Sequence, residues 1–143
     1  MADSALSSAR RTLATEIDGL QALSAALGKG FEQAVNVLSE ISGRVIVSGM
    51  GKSGHIGAKI VSTMASTGTP AQFVHPGEAS HGDLGMITIS DAILALSWSG
   101  ETTELTNLID YAKRFSIPLV ALTSDADSLL GRQADICITL PKS

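Results

Sequence analysis

The residues of this chain that could do chemistry gather in three segments rich in glycine, hydroxyl groups and histidine. The first reads Gly49-Met50-Gly51-Lys52-Ser53-Gly54-His55-Ile56-Gly57, and the second reads Ser97-Trp98-Ser99-Gly100-Glu101-Thr102-Thr103-Glu104. Glycine turns at a helix start expose backbone N–H groups, and these bind phosphate together with nearby hydroxyls. Because the two segments hold many hydroxyls and little positive charge, they predict a small phosphomonoester as ligand.

The first segment matches two nucleotide-binding templates only in part. Gly49, Gly51 and Gly54 satisfy G-x-G-x-x-G, but the dinucleotide fold also needs an acidic residue about 20 positions later, at the end of the second strand. That strand here ends in His75-Pro76-Gly77. The Gly51-Lys52-Ser53 triplet matches the end of the P-loop template G-x-x-x-x-G-K-S. That template requires a glycine at position 46, where this chain has Ile46, so the P-loop interpretation fails. The first segment is therefore predicted to bind a phosphate that is not part of a nucleotide. The alternative is that its glycines only form a tight turn.

The third segment, His75 to Gly85, is a long polar connection that carries two of the three histidines. A single histidine is more often a hydrogen-bonded structural residue than a ligand or catalyst, and its pKa near neutrality also suits proton transfer. A metal pair of His75 and His81 is conceivable, but no further ligand spacing supports a zinc site. We therefore expect no metal and no redox cofactor.

The elements that must position these segments follow from apolar patterning. Spacings of three and four predict a long helix over residues 4–27 and a second one from Phe31 to Gly43. Continuous apolar runs then predict five parallel strands covered on both faces: Val45 to Ser48, Ala71 to Val74, Ala92 to Leu96, Leu119 to Leu122 and Ile136 to Leu140. Helices are predicted between them at Ser53 to Thr67, Glu101 to Phe115 and Ser128 to Gln133. The fold class is a three-layer α/β/α sandwich with a five-stranded parallel sheet, flavodoxin/Rossmann-like.

The length of 143 residues predicts one domain, with helices over 1–43 and the α/β core over 44–143. A net charge of −4 lacks the basic surplus that nucleic-acid binding needs. Without a long apolar run or a signal-peptide layout at Met1-Ala2-Asp3-Ser4, we expect a soluble cytoplasmic protein with no membrane partner. The lone cysteine, Cys137, is expected to be a buried apolar residue.

Two features of the chain concern its partners. The apolar stripe of the first helix suits packing on its own domain and a subunit interface about equally. No helix follows the last strand, so one face of the sheet is expected to be under-covered near the C-terminus. A shortened chain or a compensating partner subunit would explain this gap.

The three segments, together with Ser66-Thr67-Gly68-Thr69-Pro70, closely resemble the sugar isomerase (SIS) domain of the bacterial arabinose-5-phosphate isomerase family. Ser97-x-Ser99-Gly100-Glu101 indicates the SIS superfamily, whereas His75-Pro76-Gly77-Glu78-Ala79 and His81-Gly82-Asp83-Leu84-Gly85 narrow the likeness to this isomerase branch. The likeness runs from about Arg44 to the C-terminus.

The resemblance implies a homo-oligomer, a dimer or tetramer, that interconverts D-ribulose 5-phosphate and D-arabinose 5-phosphate. That reaction feeds synthesis of the lipopolysaccharide sugar Kdo. Carried over by position, the catalytic group includes Lys52, His81 and Glu104. The site that holds the substrate phosphate comprises Gly51, Ser53, Ser97, Ser99 and Thr102.

Two departures from the family pattern stand out. Family enzymes continue past the last strand with further catalytic side chains, closing helices and often paired CBS domains, and Trp98 occupies a position often held by a small polar residue. Two other functions stay open: a phosphosugar-binding regulatory SIS domain without chemistry, and a dinucleotide-binding fragment. Glu104 is the candidate base, although a first-turn glutamate is also favoured by the helix dipole alone.

Overall fold

The computed structural model of the protein describes residues 4–142, which form one parallel sheet covered by helices. The strands are β1 (Val45–Gly49), β2 (Ala71–Phe73), β3 (Ala92–Leu96), β4 (Leu119–Thr123) and β5 (Ile136–Thr139). They pair in the order β2-β1-β3-β4-β5, and every pair is parallel. The five-stranded parallel sheet predicted from the apolar runs is therefore confirmed.

Helices cover both faces of the sheet. They are α1 (Ala5–Ala26), α2 (Lys29–Glu40), α3 (Gly51–Ser66), α4 (Pro76–Ala79), α5 (Thr106–Arg114) and α6 (Leu129–Gln133), with short 3₁₀ helices at Asp83–Met86 and Thr103–Leu105. Side chains of α2 and α3 pack in the core on one face, and those of α4, α5 and α6 pack in the core on the other. The three-layer sandwich is confirmed.

The strands differ in how completely they are covered. All residues of β1 and β3 are buried, as a strand covered on both faces requires. The prediction that all five strands are covered in this way is wrong for β2 and β5, which are only half-buried. Both are the edge strands of the sheet, so each has a neighbour on one side only.

Helix α1 carries an apolar stripe that its own domain does not cover. None of its residues is buried, and Leu13 and Leu20 are 63% and 66% exposed. Leu6, Ile17 and Leu27 continue the same exposed stripe. Of the two roles predicted for this stripe, packing on its own domain is contradicted.

Three further sequence expectations concern a signal peptide, membrane-spanning helices and the lone cysteine. The expectation that there is no signal peptide rests partly on residues 1–3, which lie outside the described residues. Over residues 4–142, no helix is both long enough and apolar enough to cross a bilayer. Cys137 is only partly buried, because it lies on an edge strand, so the prediction of a buried cysteine is wrong.

A buried carboxylate anchors the amino-terminal end of the sheet. Asp91 is 2% exposed and accepts hydrogen bonds from the backbone N–H of Arg44 at 2.7 Å and of Thr88 at 2.8 Å. The Arg44 guanidinium lies 3.4 Å from the second carboxylate oxygen. Burial by itself would raise the pKa of Asp91, but the two backbone N–H groups and Arg44 together hold that pKa below its ordinary value of 3.8.

This network predicts a pH-dependent contribution to stability. Because the folded pKa of Asp91 is lowered, its contribution is fully present above pH 3.8 and is lost as the pH falls through the folded pKa. Asp91→Asn should lower the free energy of unfolding at pH 7 by about 1–3 kcal/mol. Urea unfolding of both proteins from pH 7 to pH 2.5 checks this. The difference between them should shrink at the acid end, and a constant difference would contradict the account.

Candidate phosphate-binding cleft

A cleft of about 230 Å³ opens at the carboxyl ends of β1 and β3. In the strand order 2-1-3-4-5, β1 and β3 are neighbours whose connections leave in opposite directions, and ligands of such sheets bind at this switch point. The cleft is lined by Lys52, Ser53, Ile56, Leu96, Ser97, Trp98, Leu122 and Leu140. The glycine-rich segment that begins at Gly49 and the hydroxyl-rich segment that begins at Ser97 therefore contribute residues to one cleft. Their positions after parallel strands predicted this.

The N-terminus of α3 forms one wall of this cleft. Gly51 begins the helix with a φ of +57°, a left-handed conformation that favours glycine. Met50 precedes it in extended conformation and caps no N–H with its side chain. The positive end of the helix dipole and the first N–H groups of α3 are thus available to an anion beside Ser53, in the first turn.

Two glycines of the first segment let α3 lie close to β1. A Cβ on Gly54 would stand 2.6 Å from the carbonyl oxygen of Gly49, and a Cβ on Gly49 would stand 3.0 Å from the carbonyl oxygen of Leu96. Neither backbone group can move aside as a flexible side chain would. These glycines therefore hold Ser53 and the end of β3 close together.

Ser97 and Trp98, from the loop after β3, form the opposite wall, whereas the predicted phosphate-site residues Gly51, Ser99 and Thr102 are not part of the cleft lining. The Ser97 hydroxyl lies 2.8 Å from the Thr102 hydroxyl and accepts a hydrogen bond from the backbone N–H of Gly100 at 3.0 Å. Because one hydroxyl of the pair donates to the other, one O–H remains for a ligand. Ser99 accepts from the backbone N–H of Glu101 at 3.1 Å and keeps its own O–H for donation.

Two expectations about this loop are wrong. A crossover helix was predicted from Glu101, but α5 begins only at Thr106, after a 3₁₀ turn over Thr103–Leu105. The two serines and two threonines of the second segment predict at least one helix cap, but neither α5 nor the 3₁₀ turn has a side-chain cap. The hydroxyls bond within the loop instead, because the chain turns back there before it becomes helical.

Residues at the start of α6, which no sequence motif marks, support this loop. The backbone N–H of Leu130 donates to the carbonyl of Gly100 at 3.0 Å, and the backbone N–H of Leu129 donates to the Glu101 carboxylate at 2.8 Å. The start of α6 thus holds the loop in place. These contacts join residues about 30 positions apart, so no local motif signals them.

The candidate catalytic residues divide into two groups in space. Lys52 lines the cleft and is exposed, whereas His81 and Glu104 are exposed outside its lining. Helix α4, just before His81, packs against the 3₁₀ turn that holds Glu104. The Asn107 amide donates to the Ser80 hydroxyl at 2.9 Å and ties these two segments together.

The side chains of His81 and Glu104 have local partners. Nδ1 of His81 lies 2.8 Å from the carbonyl oxygen of Gly77, so Nδ1 carries a proton and Nε2 of the neutral ring can accept one. The Glu104 carboxylate accepts a hydrogen bond from the Thr103 hydroxyl at 3.2 Å. Both groups therefore have a free position for proton exchange.

His75 and His81, the possible metal pair, both make hydrogen bonds with the backbone of one residue. His75 accepts a hydrogen bond from the backbone N–H of Gly77 at 3.1 Å and caps α4, while His81 is bonded to the carbonyl of the same glycine. Within residues 4–142, no three His, Cys, Asp or Glu side chains form a group that could hold a metal ion.

A larger cavity of about 370 Å³ lies at the opposite end of the strands, where β4 begins. It is lined by Ala112, Lys113, Ser116, Ile117, Pro118, Leu119, Gln133 and Asp135. The Asp135 carboxylate there accepts from the backbone N–H of Leu119 at 2.8 Å. Because its one cation is balanced by a carboxylate and no glycine-rich turn faces it, this cavity suits a phosphate less well than the cleft.

Known proteins similar to this chain identify its family. Residues 38–143 match the SIS domain. The chain belongs to the SIS domain family. Arabinose 5-phosphate isomerase KdsD of Yersinia pestis is 50% identical over 135 residues, which cover 93% of this SIS domain chain and 41% of the relative. The Pseudomonas aeruginosa protein of the same name is 50% identical over 129 residues, or 90% of this chain and 40% of the relative.

Solved structures extend the comparison. Escherichia coli CFT073 c3406 in complex with A5P superposes with a TM-score of 0.84 at 32% identity, covering 99% of this SIS domain chain and 77% of that one. The Vibrio vulnificus NanR protein complexed with ManNAc-6P has a TM-score of 0.84 at 19% identity and covers 94% of this chain and 51% of that one, which shows a common fold alone. The chain spans about two fifths of the length of the curated relatives that it matches.

Proposed function

We propose that this chain is the sugar isomerase domain of an enzyme that interconverts D-ribulose 5-phosphate and D-arabinose 5-phosphate. The observation that carries the proposal is the convergence of Ser53 and Ser97 with the N-terminus of α3 in one cleft. Relatives about 50% identical to this chain are named arabinose 5-phosphate isomerases, which supports the choice of substrate.

The phosphate of the substrate would bind where the hydroxyls meet the helix N-terminus. Ser53, the shared O–H of Ser97 and Thr102, and Ser99 supply hydrogen-bond donors, and Gly51 exposes the backbone of the first turn. Lys52 adds the positive charge that the hydroxyls lack. Charge-assisted bonds of this kind to phosphate oxygens are about twice as strong as neutral ones.

The isomerisation then moves a proton between two carbons of the bound sugar. A base takes the proton from C2 of the aldose, the electron pair of that C–H bond forms the enediolate, and the proton returns at C1 to give the ketose. We assign Glu104 as the base and His81 as the group that relays protons at the sugar oxygens. If Lys52 does not pair with the phosphate, its positive charge can instead stabilise the developing oxyanion. Hydrogen moves only within the substrate and its exchange partners, so the reaction is balanced without a redox cofactor.

Phosphate binding is tested by removing the two hydroxyls from the cleft. Ser53→Ala and Ser97→Ala should each weaken binding of arabinose 5-phosphate, measured by titration calorimetry, by about 5- to 20-fold, because each removes a hydrogen bond to a charged group. Ser62→Ala, an exposed serine further along α3, is the matched control and should leave the Kd unchanged. Equal affinities for all four proteins would contradict the site.

A phosphosugar-binding domain without chemistry is the second candidate, and one observation favours it. The cleft is lined by the hydroxyl residues Ser53 and Ser97 but not by His81 or Glu104. Interconversion of the two pentose phosphates followed by ¹³C NMR separates the two functions. Binding without interconversion would favour the sensor, and interconversion would favour the isomerase.

We also propose that the chain assembles with copies of itself through α1. The exposed leucines and Ile17 of that helix support this, because a long apolar stripe of this kind is typical of a subunit interface. Sedimentation equilibrium should give a dimer or tetramer of the 14.7 kDa chain, and a monomer at micromolar concentration would contradict the proposal. We also propose that the reaction takes place in the cytoplasm and, as the family resemblance implies, that it feeds synthesis of the lipopolysaccharide sugar Kdo.

A further inference from the structure

The only tryptophan of the chain lies at the wall of the cleft and is left largely uncovered. The side chain of Trp98 is 55% exposed, although a large aromatic side chain normally gains stability from burial. Ile56, Leu122 and Leu140 also line the cleft, so its wall beyond Lys52, Ser53 and Ser97 is apolar. The exposure of an indole beside an anion site calls for an explanation that packing does not supply.

The backbone of Trp98 is held more firmly than a typical loop residue. Its carbonyl oxygen accepts three hydrogen bonds: from the Thr123 hydroxyl at 3.2 Å, from the Ser124 hydroxyl at 2.7 Å and from the Ser124 backbone N–H at 3.0 Å. Both donor residues are buried at the end of β4. The indole is therefore carried on a fixed backbone, so the loop itself does not have to become ordered when a ligand packs against the ring.

We propose that Trp98 determines specificity by packing against the carbon chain of the bound sugar phosphate. This inference rests on the proposed function, because it needs the phosphate at Ser53 and Ser97. A phosphate held there leaves its organic part to run along the same cleft, past the indole. The C–H groups of a sugar can pack on an aromatic face, whereas inorganic phosphate has no group that would reach it.

The apolar composition of the wall explains how the site would choose among phosphates. Five of the eight lining residues are apolar, and they cannot bind an ion such as inorganic phosphate. Contact with the carbon chain adds affinity for an organic phosphate only. Trp98 would thus separate a sugar phosphate from the free anion, while Ser53 and Ser97 bind both alike.

Substitution of Trp98 tests this selectivity. Trp98→Asn should weaken binding of arabinose 5-phosphate about tenfold, as expected for loss of an aromatic contact, and leave the Kd of inorganic phosphate within about twofold. Trp98→Phe keeps an aromatic face and should bind the sugar phosphate within about threefold of the original protein. Ile89→Asn is the control and should change neither Kd. Ile89 is also a large apolar residue, is 78% exposed and lies outside the cleft lining.

Because the chain has one tryptophan, its fluorescence reports on this position directly. Arabinose 5-phosphate should change the emission of Trp98 saturably, and inorganic phosphate should change it far less. Two results would overturn the inference and leave the proposed function standing. In the first, calorimetry detects binding of the sugar phosphate but the emission of Trp98 does not change. In the second, Trp98→Asn loses affinity for arabinose 5-phosphate and for inorganic phosphate by the same factor. An emission that shifts with protein concentration alone would assign Trp98 to a subunit contact. No calorimetric binding of the sugar phosphate at all would overturn both.

Discussion

Glu104→Gln should lower the rate of isomerisation by about 10²–10⁴-fold, the usual contribution of a positioned base. Glutamine keeps the size of the side chain and an oxygen that can accept from the Thr103 hydroxyl, but it cannot take a proton. The affinity for arabinose 5-phosphate should therefore stay within about twofold, because the phosphate contacts are unchanged. The measurement is exchange of the C2 proton of arabinose 5-phosphate in D₂O, followed by ¹H NMR.

A neighbouring carboxylate provides a matched control for this change. Glu101 lies three residues earlier, and its carboxylate accepts a hydrogen bond from the backbone N–H of Leu129 at 2.8 Å. Because glutamine can accept the same bond, Glu101→Gln should retain most of the exchange rate. If Glu104→Gln exchanges the C2 proton as fast as Glu101→Gln, Glu104 is not the base.

Gly100→Ala should have the largest effect on folding and should also remove phosphate binding. Gly100 has a φ of +69°, and a Cβ on it would stand 1.9 Å from the Ser128 hydroxyl. The substitution combines left-handed strain with a clash inside a packed loop, so it should lower the free energy of unfolding by about 2–5 kcal/mol. Urea unfolding measures this loss. Because Gly100 donates its N–H to Ser97, the cleft should lose the hydroxyl geometry as well.

Gly68→Ala separates the two causes of that loss. Gly68 has a φ of +95° but nothing within 4 Å of its Cβ position, so alanine there meets the strain without the clash. Its cost should be about 1 kcal/mol, and arabinose 5-phosphate binding should be unchanged. Equal costs for the two variants would show that the loop can move away from Ser128, contrary to the packing described.

The fold could be predicted largely because its signals are local. The apolar runs at Val45 and Ala92 are long enough to identify strands buried on both faces, and burial on both faces implies parallel pairing. The start of α5 could not be predicted, because the hydroxyls of this segment indicated a helix cap, whereas in the structure they bond within the loop. The choice depends on the contacts of the loop with α6, which lie far away along the chain.

The candidate site divides in the same way. That Ser53 and Ser97 would lie near each other follows from one rule, because Ser97 directly follows β3 and Ser53 stands in the first turn of the helix that follows β1. The support of Trp98 by Thr123 and Ser124 depends on the pairing of β3 with β4, which no motif states. The positions of His81 and Glu104 outside the cleft lining were equally beyond the sequence, because they depend on how α4 packs against the 3₁₀ turn.

The central claim is that a phosphate binds between Ser53 and Ser97, and a crystal structure with arabinose 5-phosphate tests it most directly. The account predicts phosphate oxygens within hydrogen-bonding distance, about 2.5–3.2 Å, of both serine hydroxyls and near the first turn of α3. Phosphate found instead in the cavity beside Lys113 and Asp135, or absent from the cleft when the crystal is saturated with the sugar phosphate, would contradict it.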